Sequence, residues 1–310
     1  MKILVTGGAG YVGSVLVPQL LEKDYEVCIV DNLMYDNGHT IIPLFKDPKF
    51  RFVKGDARDE SLMKDLIPQF DFVIHLAAIV GFPACRKNPD LATTVNVDSS
   101  KLVSSLLSKD QGTVYASTGS NYGIIENEVC TEETPLNPIS LYGKTKTEAE
   151  NIFLNENGAV AYRFATAFGL SPRMRLDLLI NDFVYQAVNS KTLVMFEKTF
   201  KRTFVHVDDM ARGIIYAIEN YDQMKNNTYN VGGDFNNYNK EEIALMIQEK
   251  VDYYLHFAEF GEDEDKRNYE VSYKKINDAG FFIKKTVETG INELIQSCPA
   301  LDSRSMYKNV

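Results

Sequence analysis

Tyr142 and Lys146 stand four residues apart in PISLYGKTKTEAE, which spans residues 138–150. Residues four apart share one face of a helix, so the phenol and the ammonium can converge on one ligand. An adjacent cation stabilises a phenolate and lowers the tyrosine pKa from its usual value of about 10, which makes Tyr142 a candidate general base near neutral pH. Taken alone, the pair is more typical of a solvated helix face, because the chain holds 17 tyrosines.

The segment TVYASTGSNYG, residues 113–123, ends a predicted strand with several hydroxyl side chains. Thr118 stands where a strand of a parallel sheet delivers residues to a ligand crevice at its carboxyl end. This position favours the functional interpretation of Tyr142 and Lys146 over the solvated one.

Three glycines, Gly7, Gly10 and Gly13, directly follow the first predicted strand in VTGGAGYVGSVLV. They permit a tight turn, a close backbone approach to a pyrophosphate and close packing of the next helix, whose N-terminus supplies amide donors. Asp31 ends the second strand, where a carboxylate accepts from ribose hydroxyls and repels a 2′-phosphate, so we expect NAD rather than NADP. A glycine-rich turn without a ligand is the alternative. Asp56 ends the third strand, where it meets the adenine edge or caps a turn.

The elements that position these residues follow from the pattern of apolar side chains. Short β-branched runs alternate with segments of helical period, which predicts an α/β fold with a Rossmann-type, doubly wound parallel sheet. Further strand candidates are TVYAST, AVAYRFAT and RTFVHV, and SPRMRLDLLINDFVYQAV, residues 171–188, predicts a helix. The expected domains are an NAD-binding domain over 1–169, to which 204–235 return, and a smaller, interleaved, mixed α/β C-terminal substrate lobe over 170–310.

Composition narrows the function classes. The chain has 310 residues, 45% of them hydrophobic, and a net charge of −10, which repels phosphate backbones and disfavours nucleic-acid binding. The four cysteines lack CxxC spacing and the four histidines form no ligand pattern, so we expect free thiols and no metal. No apolar run reaches the ~20 residues of a membrane span, and the first residues are typical of a strand rather than a signal peptide. We expect a cytoplasmic protein.

Seven motifs occur together in a characteristic order. They are TGGAGYVG, HLAA, Asn96 in TTVNVDSS, STGSNYG, PISLYGKTKTEAE, YRFATAFG and FVHVDDMARG. In this set the chain resembles the extended short-chain dehydrogenase/reductase family, and more narrowly its nucleotide-sugar epimerase and dehydratase branch, over essentially its whole length. The resemblance implies NAD as cofactor, a nucleotide-diphosphate sugar as substrate, and a homodimer formed through paired core helices, one of which carries Tyr142.

The resemblance also implies a role for each matched residue. Tyr142 would take the proton from a sugar hydroxyl that Thr118 hydrogen-bonds, and Lys146 would bind the nicotinamide ribose and hold the phenolate at a low pKa. The expected cofactor-binding residues are Gly7, Gly10, Tyr11, Val12, Gly13, Asp31, Asn32, Asp56, Ala57, Leu76, Ala77, Ala78, Asn96, Tyr142 and Lys146. The expected substrate-binding residues are Thr118, Ser120, Asn181, Arg202, Arg267 and Arg173. For Arg267 an exposed ion pair, and for Arg173 simple solvation, are the alternatives.

Departures from the family pattern narrow the expected reaction. Gly119 and Ser120 stand where sugar-nucleotide 4,6-dehydratases carry Asp-Glu, and Ser120 also replaces the cysteine of 3,5-epimerase/reductases. Val80 stands where many 4-epimerases have a lysine. The remaining chemistry is NAD-dependent oxidation at C4, with hydride returned to the opposite face by a 4-epimerase. The alternatives are a net C4 dehydrogenase that releases a keto sugar, as in the GDP-heptose enzymes that SPRMRLDLLINDF resembles, and, more distantly, a non-catalytic NAD sensor.

Overall fold

The computed structural model describes residues 1–125, 129–199, 201–258, 270–301 and 307–309. The strands are β1 (Lys2–Thr6), β2 (Glu26–Asp31), β3 (Phe50–Lys54), β4 (Phe72–His75), β5 (Gly112–Thr118), β6 (Val129–Cys130), β7 (Val160–Phe164), β8 (Thr166–Phe168), β9 (Thr192–Met195), β10 (Lys201–His206), β11 (Asn227–Val231), β12 (Asn237–Asn239), β13 (Tyr254–Phe257) and β14 (Glu270–Val271). The α-helices are α1 (Gly13–Glu22), α2 (Glu60–Leu66), α3 (Phe82–Lys87), α4 (Pro89–Thr93), α5 (Ser99–Leu106), α6 (Leu141–Asn157), α7 (Leu179–Tyr185), α8 (Val207–Glu219), α9 (Tyr221–Met224), α10 (Lys240–Gln248), α11 (Lys274–Asp278) and α12 (Val287–Ser297).

Seven of the described strands form one parallel sheet in the order β11-β7-β5-β4-β1-β2-β3. In β1, Ile3 pairs with Val27 of β2 on one side and with Phe72 of β4 on the other. Because every strand runs the same way, the carboxyl ends share one edge, and the strand order reverses at β1, which opens a crevice there. The predicted doubly wound parallel sheet is confirmed.

Apolar cores lie on both faces of this sheet, because its strands are apolar on both sides. On one face, Leu16 of α1 and Ile214 of α8 belong to a cluster with Ile3 and Val5. On the other, α2, α5 and α6 contribute to a cluster that includes Phe153. These helices hold the strand ends, and therefore the residues that follow them, in fixed positions. No helix of the described residues is long and apolar enough to span a membrane.

A second, smaller core forms beyond β7. The predicted strand AVAYRFAT divides at Ala165, and its last residues form β8, which pairs with β10 in a separate three-stranded sheet with β12. Phe168, Phe204 and Ile291 are buried together in this region. The chain then returns to the large sheet, where α8 packs on α1 and β11 pairs with β7.

The helix predicted over residues 171–188 begins only at Leu179, so its first half was predicted wrongly. The preceding residues are held against the glycine loop instead. The Ser171 hydroxyl donates to the Tyr11 carbonyl at 2.8 Å, and the Arg173 N–H donates to the Ser14 hydroxyl at 3.3 Å. These bonds draw the segment toward the glycine loop and away from a helical course.

Candidate active site

One cavity lies at the carboxyl edge of the large sheet and collects most of the residues predicted from the sequence. Those that line it are Gly7, Gly10, Tyr11, Val12, Gly13, Asp31, Asn32, Asp56, Ala57, Leu76, Ala77, Ala78, Thr118, Ser120, Tyr142, Lys146 and Arg173. They come from loops up to about 170 residues apart in sequence, and the parallel sheet brings them together because each follows the carboxyl end of a strand or begins a helix beside it.

The glycine loop leaves no room for side chains. Gly7 has a φ of +71°, and a Cβ at this position would lie 2.7 Å from the Ala77 nitrogen. A Cβ on Gly13 would lie 2.4 Å from the Gly8 carbonyl oxygen. The loop is therefore bare backbone at the start of α1, which fits a pyrophosphate that approaches amide groups closely.

Asp31 is anchored by the same loop. Its Oδ2 accepts from the Ala9 N–H at 3.1 Å and its Oδ1 from the Leu33 N–H at 2.8 Å. Burial raises the pKa of Asp31, and these two bonds and the charge of Arg173 oppose that shift. Each carboxylate oxygen keeps a further lone pair for a hydroxyl donor. The bare loop and this oriented carboxylate together fit NAD.

Asp56 lines the cavity and also closes its own turn, so the turn cap that the sequence allowed is present. Its carboxylate accepts from Arg58 Nε and Nη2 at 2.9 and 2.8 Å and from Asn32 Nδ2 at 3.1 Å. These hydrogen bonds, with Arg58 foremost, lower the pKa of Asp56 to about 2. Asp56 therefore presents a fixed anion at the rim of the cavity.

Tyr142 and Lys146 lie on the first turns of α6, which begins after Ser140. The Ser140 hydroxyl accepts from the Gly143 N–H at 3.0 Å, a capping bond that sets where the helix starts. Lys146 is 4% exposed, and its Nζ lies 4.1 Å from the centre of the Tyr115 ring. Burial lowers the pKa of Lys146 to about 7, with the Glu150 charge opposing the shift. Lys146 therefore gives up its proton more readily than an exposed lysine does.

Thr118 is the last residue of β5 and is buried. Its hydroxyl donates to the Ser120 hydroxyl at 3.1 Å and accepts from the Ser120 N–H at 3.2 Å. Gly119 and Ser120 begin a short 3-10 turn at the cavity wall. This turn brings one hydroxyl, and no carboxylate, next to Thr118.

A buried ion pair beneath the cavity was missed by the sequence analysis. Glu150, one helical turn after Lys146, is 0% exposed, and its carboxylate accepts from Arg163 Nη2 at 2.5 Å, Ser117 Oγ at 2.5 Å and Asn121 Nδ2 at 3.0 Å. These bonds join α6 to β5 and β7 around the strand end that carries Thr118. The signal was present, because an arginine in the apolar run AVAYRFAT requires a buried counter-ion.

Three predicted site residues are buried but do not line the cavity: Asn96, Asn181 and Arg202. Asn96 accepts from the Ile79 N–H at 2.7 Å and donates to its carbonyl at 3.0 Å, so it fixes the backbone after β4. Asn181 accepts from the Gly169 N–H at 2.9 Å. Arg202 lies in β10, within the second core.

Of the two remaining predicted arginines, Arg173 and Arg267, only Arg173 lies within the described residues. Arg173 is 1% exposed and its guanidinium lies 4.7 Å from the centre of the Tyr35 ring, so the solvated alternative is wrong for this residue. Burial, followed by the charge of Arg175, lowers the pKa of Arg173 to about 10. Arg267 lies outside the described residues. Cavity-lining residues absent from the predicted set include Tyr35, Val80, Gly81, Arg175, Met210 and Asn309.

Away from the cavity, one group in the described part of the chain has the proximity of metal ligands: His206, Asp208 and Glu293. The Lys285 Nζ lies 2.5 Å from Glu293 Oε1 and 3.6 Å from Asp208 Oδ2. An ammonium group of the chain itself therefore already neutralises these carboxylates, and we assign no metal role to them.

Comparisons with known proteins agree with this geometry. The model of the NAD dependent epimerase/dehydratase family matches residues 3–232. A putative UDP-glucose 4-epimerase of Methanocaldococcus jannaschii is 30% identical over 74% of this chain and 76% of its own length. A dTDP-glucose 4,6-dehydratase of an Actinoplanes species is 29% identical over 95% of this chain and 97% of its own. The crystal structure of UDP-glucuronic acid 4-epimerase from Bacillus cereus, in complex with UDP-glucuronic acid and NAD, superposes with a TM-score of 0.87 at 25% identity, covering 97% of this chain and 99% of that one.

Proposed function

The chain belongs to the NAD-dependent epimerase/dehydratase family, and from this premise we propose that it is a nucleotide-sugar 4-epimerase. Its substrate is a nucleotide-diphosphate sugar, which is oxidised and reduced again at C4. The observation that carries the proposal is that Thr118, Tyr142 and Lys146 line the same cavity as the glycine loop and Asp31.

The residues that line the cavity have separate roles in the proposed reaction. The Tyr142 phenolate accepts the proton of the C4 hydroxyl and later returns it, while the Thr118 hydroxyl holds the same oxygen in place. Lys146 in its charged form stabilises the phenolate, although burial lowers its own pKa to about 7. Bound NAD supplies the hydride acceptor. Asp31 and the glycine loop orient the cofactor by its ribose and its pyrophosphate.

Dehydration is less well supported, although the chain resembles a 4,6-dehydratase as well as epimerases. Expulsion of water between C5 and C6 needs an acid and a base beside the threonine. Here the two residues after Thr118 are Gly119 and Ser120, and the Ser120 hydroxyl is hydrogen-bonded to Thr118. Glycine has no side-chain acid or base, and a serine hydroxyl does not replace a carboxyl group in either role near neutral pH.

The proposal is tested by supplying the purified protein with UDP-, GDP-, CDP- and dTDP-linked hexoses and heptoses. Product separation identifies the C4 epimer, and NADH absorbance identifies net oxidation. An epimer without net NADH is the expected result. Accumulating NADH with a keto sugar would replace the epimerase by a net C4 dehydrogenase, and no product from any of these sugars would refute both.

Tyr142→Phe provides the control for chemistry against cofactor sensing. The variant keeps the aromatic ring but loses the hydroxyl group, so turnover should fall by a factor of about 100 or more while NAD still binds. An NAD sensor would behave identically with either residue. Equal turnover by the variant and the parent would contradict the assignment of Tyr142 as the base.

We also propose a cytoplasmic homodimer, as the family resemblance implies, formed through paired core helices, one of which is α6, the helix that carries Tyr142. The free cysteines of the described chain, Cys28, Cys85, Cys130 and Cys298, are all buried, which suits a reducing compartment. Light scattering on the purified protein tests the dimer, and cell fractionation tests the compartment. A monomer at micromolar concentration would refute the homodimer.

A further inference from the structure

The cavity wall contains a residue from a part of the chain that no motif pointed to. Asn309 lines the cavity, and its Nδ2 donates to the Val80 carbonyl at 3.3 Å across 229 residues of sequence. The side chain is half-buried. A carboxamide offers two donors and an oxygen acceptor, so this one bond leaves a donor and the acceptor for another partner.

Each residue of the 307–309 segment is hydrogen-bonded to residues 173–176 or to Val80. The Leu176 N–H donates to the Tyr307 carbonyl at 2.7 Å, and Arg173 Nη2 donates to the Lys308 carbonyl at 3.3 Å. Arg173 is itself held between this carbonyl and the Tyr35 ring. With the bond from Asn309 to Val80, the segment has one anchor per residue, and it carries Asn309 at a defined position in the wall.

The position of Asn309 is on the side of the cavity where Tyr142 lies. Val80 follows Ile79, and Tyr142 packs against the apolar cluster that contains Ile79. Arg175 Nη2 lies 3.7 Å from where a Cβ of Gly81 would be, so a guanidinium also borders this part of the wall. Through Val80, Asn309 therefore borders the part of the wall next to the cluster on which Tyr142 packs, where the proposed reaction places the C4 hydroxyl of the sugar.

We propose that Asn309 is a specificity-determining residue, whose amide hydrogen-bonds a hydroxyl group of the sugar ring. The inference rests on the proposed nucleotide-sugar substrate. The 307–309 segment acts as a fixed part of the wall that positions this amide. A sugar that lacks the matching hydroxyl leaves the amide without its partner and binds less tightly.

Binding measurements test the inference with UDP-glucose, UDP-glucuronic acid and UDP as probes. Asn309→Ala should weaken binding of the better of the two sugar nucleotides by about 3- to 10-fold, the value of one neutral hydrogen bond. Binding of UDP and of NAD should not change, because the contact that the variant loses is one to the hexose ring, which UDP and NAD lack. Asn189→Ala is the matched control, since Asn189 also donates to a backbone carbonyl but is exposed and does not line the cavity.

Deoxy analogues identify the hydroxyl. For the parent protein, one deoxy or deoxyfluoro form of the sugar nucleotide should bind more weakly than the full sugar nucleotide. For Asn309→Ala, the same analogue and the full sugar nucleotide should bind equally well. If the variant and the parent bind every sugar nucleotide and analogue alike, the inference is overturned, whatever the turnover. If no sugar nucleotide is turned over but Asn309→Ala still weakens its binding, the epimerase assignment fails while the inference stands. Weaker binding of UDP or NAD to the variant would show that the segment only supports the fold, and would also overturn it.

Discussion

Glu150→Gln changes the size of the side chain very little, yet it should lower the free energy of unfolding more than most substitutions of this kind in this protein. The Glu150 and Arg163 side chains are 1% and 6% exposed, and their closest N–O distance is 2.5 Å. The substitution removes the charge and leaves the Arg163 guanidinium buried without a counter-ion. Removing one partner of a buried ion pair costs about 3–5 kcal/mol, so we expect the free energy of unfolding to fall by that amount.

Glu60→Gln is the matched control, on α2. Glu60 pairs with Lys64 at 2.5 Å, but both side chains are more than half exposed, at 64% and 56%. Exposed pairs contribute about 0–1 kcal/mol, so this variant should unfold almost as the parent does. Urea unfolding followed by circular dichroism measures both, at one fixed NAD concentration because a bound cofactor adds its own stabilisation.

An equal loss of stability in the two variants would refute the reasoning, since burial is what separates them. A second check uses the double variant Glu150→Leu/Arg163→Met, which removes both charges. It should be more stable than Glu150→Gln, because no charge is then buried without a partner. A double variant that is less stable than Glu150→Gln would show that packing of these side chains, and not the uncompensated charge, sets the cost.

Three further predictions concern the cofactor loop and the response to acid. Asp31→Asn turns an amide donor toward the N–H of Ala9 or Leu33 and should weaken NAD binding by about 10-fold or more. Calorimetric titration measures this change, and unchanged binding would contradict the role of Asp31 at the ribose. Gly13→Ala places a Cβ 2.4 Å from backbone and should cost about 1–3 kcal/mol in urea unfolding, and a neutral result would mean that the loop yields easily. Burial lowers the pKa of His75 to about 3, so between about pH 6.5 and pH 3 the unfolded chain binds a proton that the folded chain does not. The free energy of unfolding should therefore fall by about 1.4 kcal/mol for each pH unit below 6.5. His75→Gln should remove this contribution, which urea unfolding measured across the pH range detects.

Local patterns were enough to predict which residues line the cavity together. Asp31 and Thr118 end buried strands and Gly7 follows one, and the edge of a parallel sheet collects the residues at such strand ends. Tyr142 needed only helical spacing and the motifs around it. The parallel, doubly wound sheet was also predicted, from the alternation of strands and helices.

Other features depend on contacts that leave no periodic trace. The run AVAYRFAT is continuous, so nothing in it shows that β7 and β8 belong to different sheets. The 171–178 segment has helical spacing, yet its hydrogen bonds to Tyr11 and Ser14 displace the helix. Asn309 reaches the cavity only through the irregular segment that holds it, and no spacing rule links it to Val80.

The route of the chain limits how this protein can be re-engineered. The backbone leaves the large sheet after β7 and re-enters it at β11, with parts of the second core both before and after that return. No single cut therefore separates the two cores. A chimera that takes the second core from a relative must exchange two pieces at once, the stretch between β7 and α8 and the stretch after β11, with both joints matched to the host sheet. Swapping either piece alone would pair half of one core with half of another.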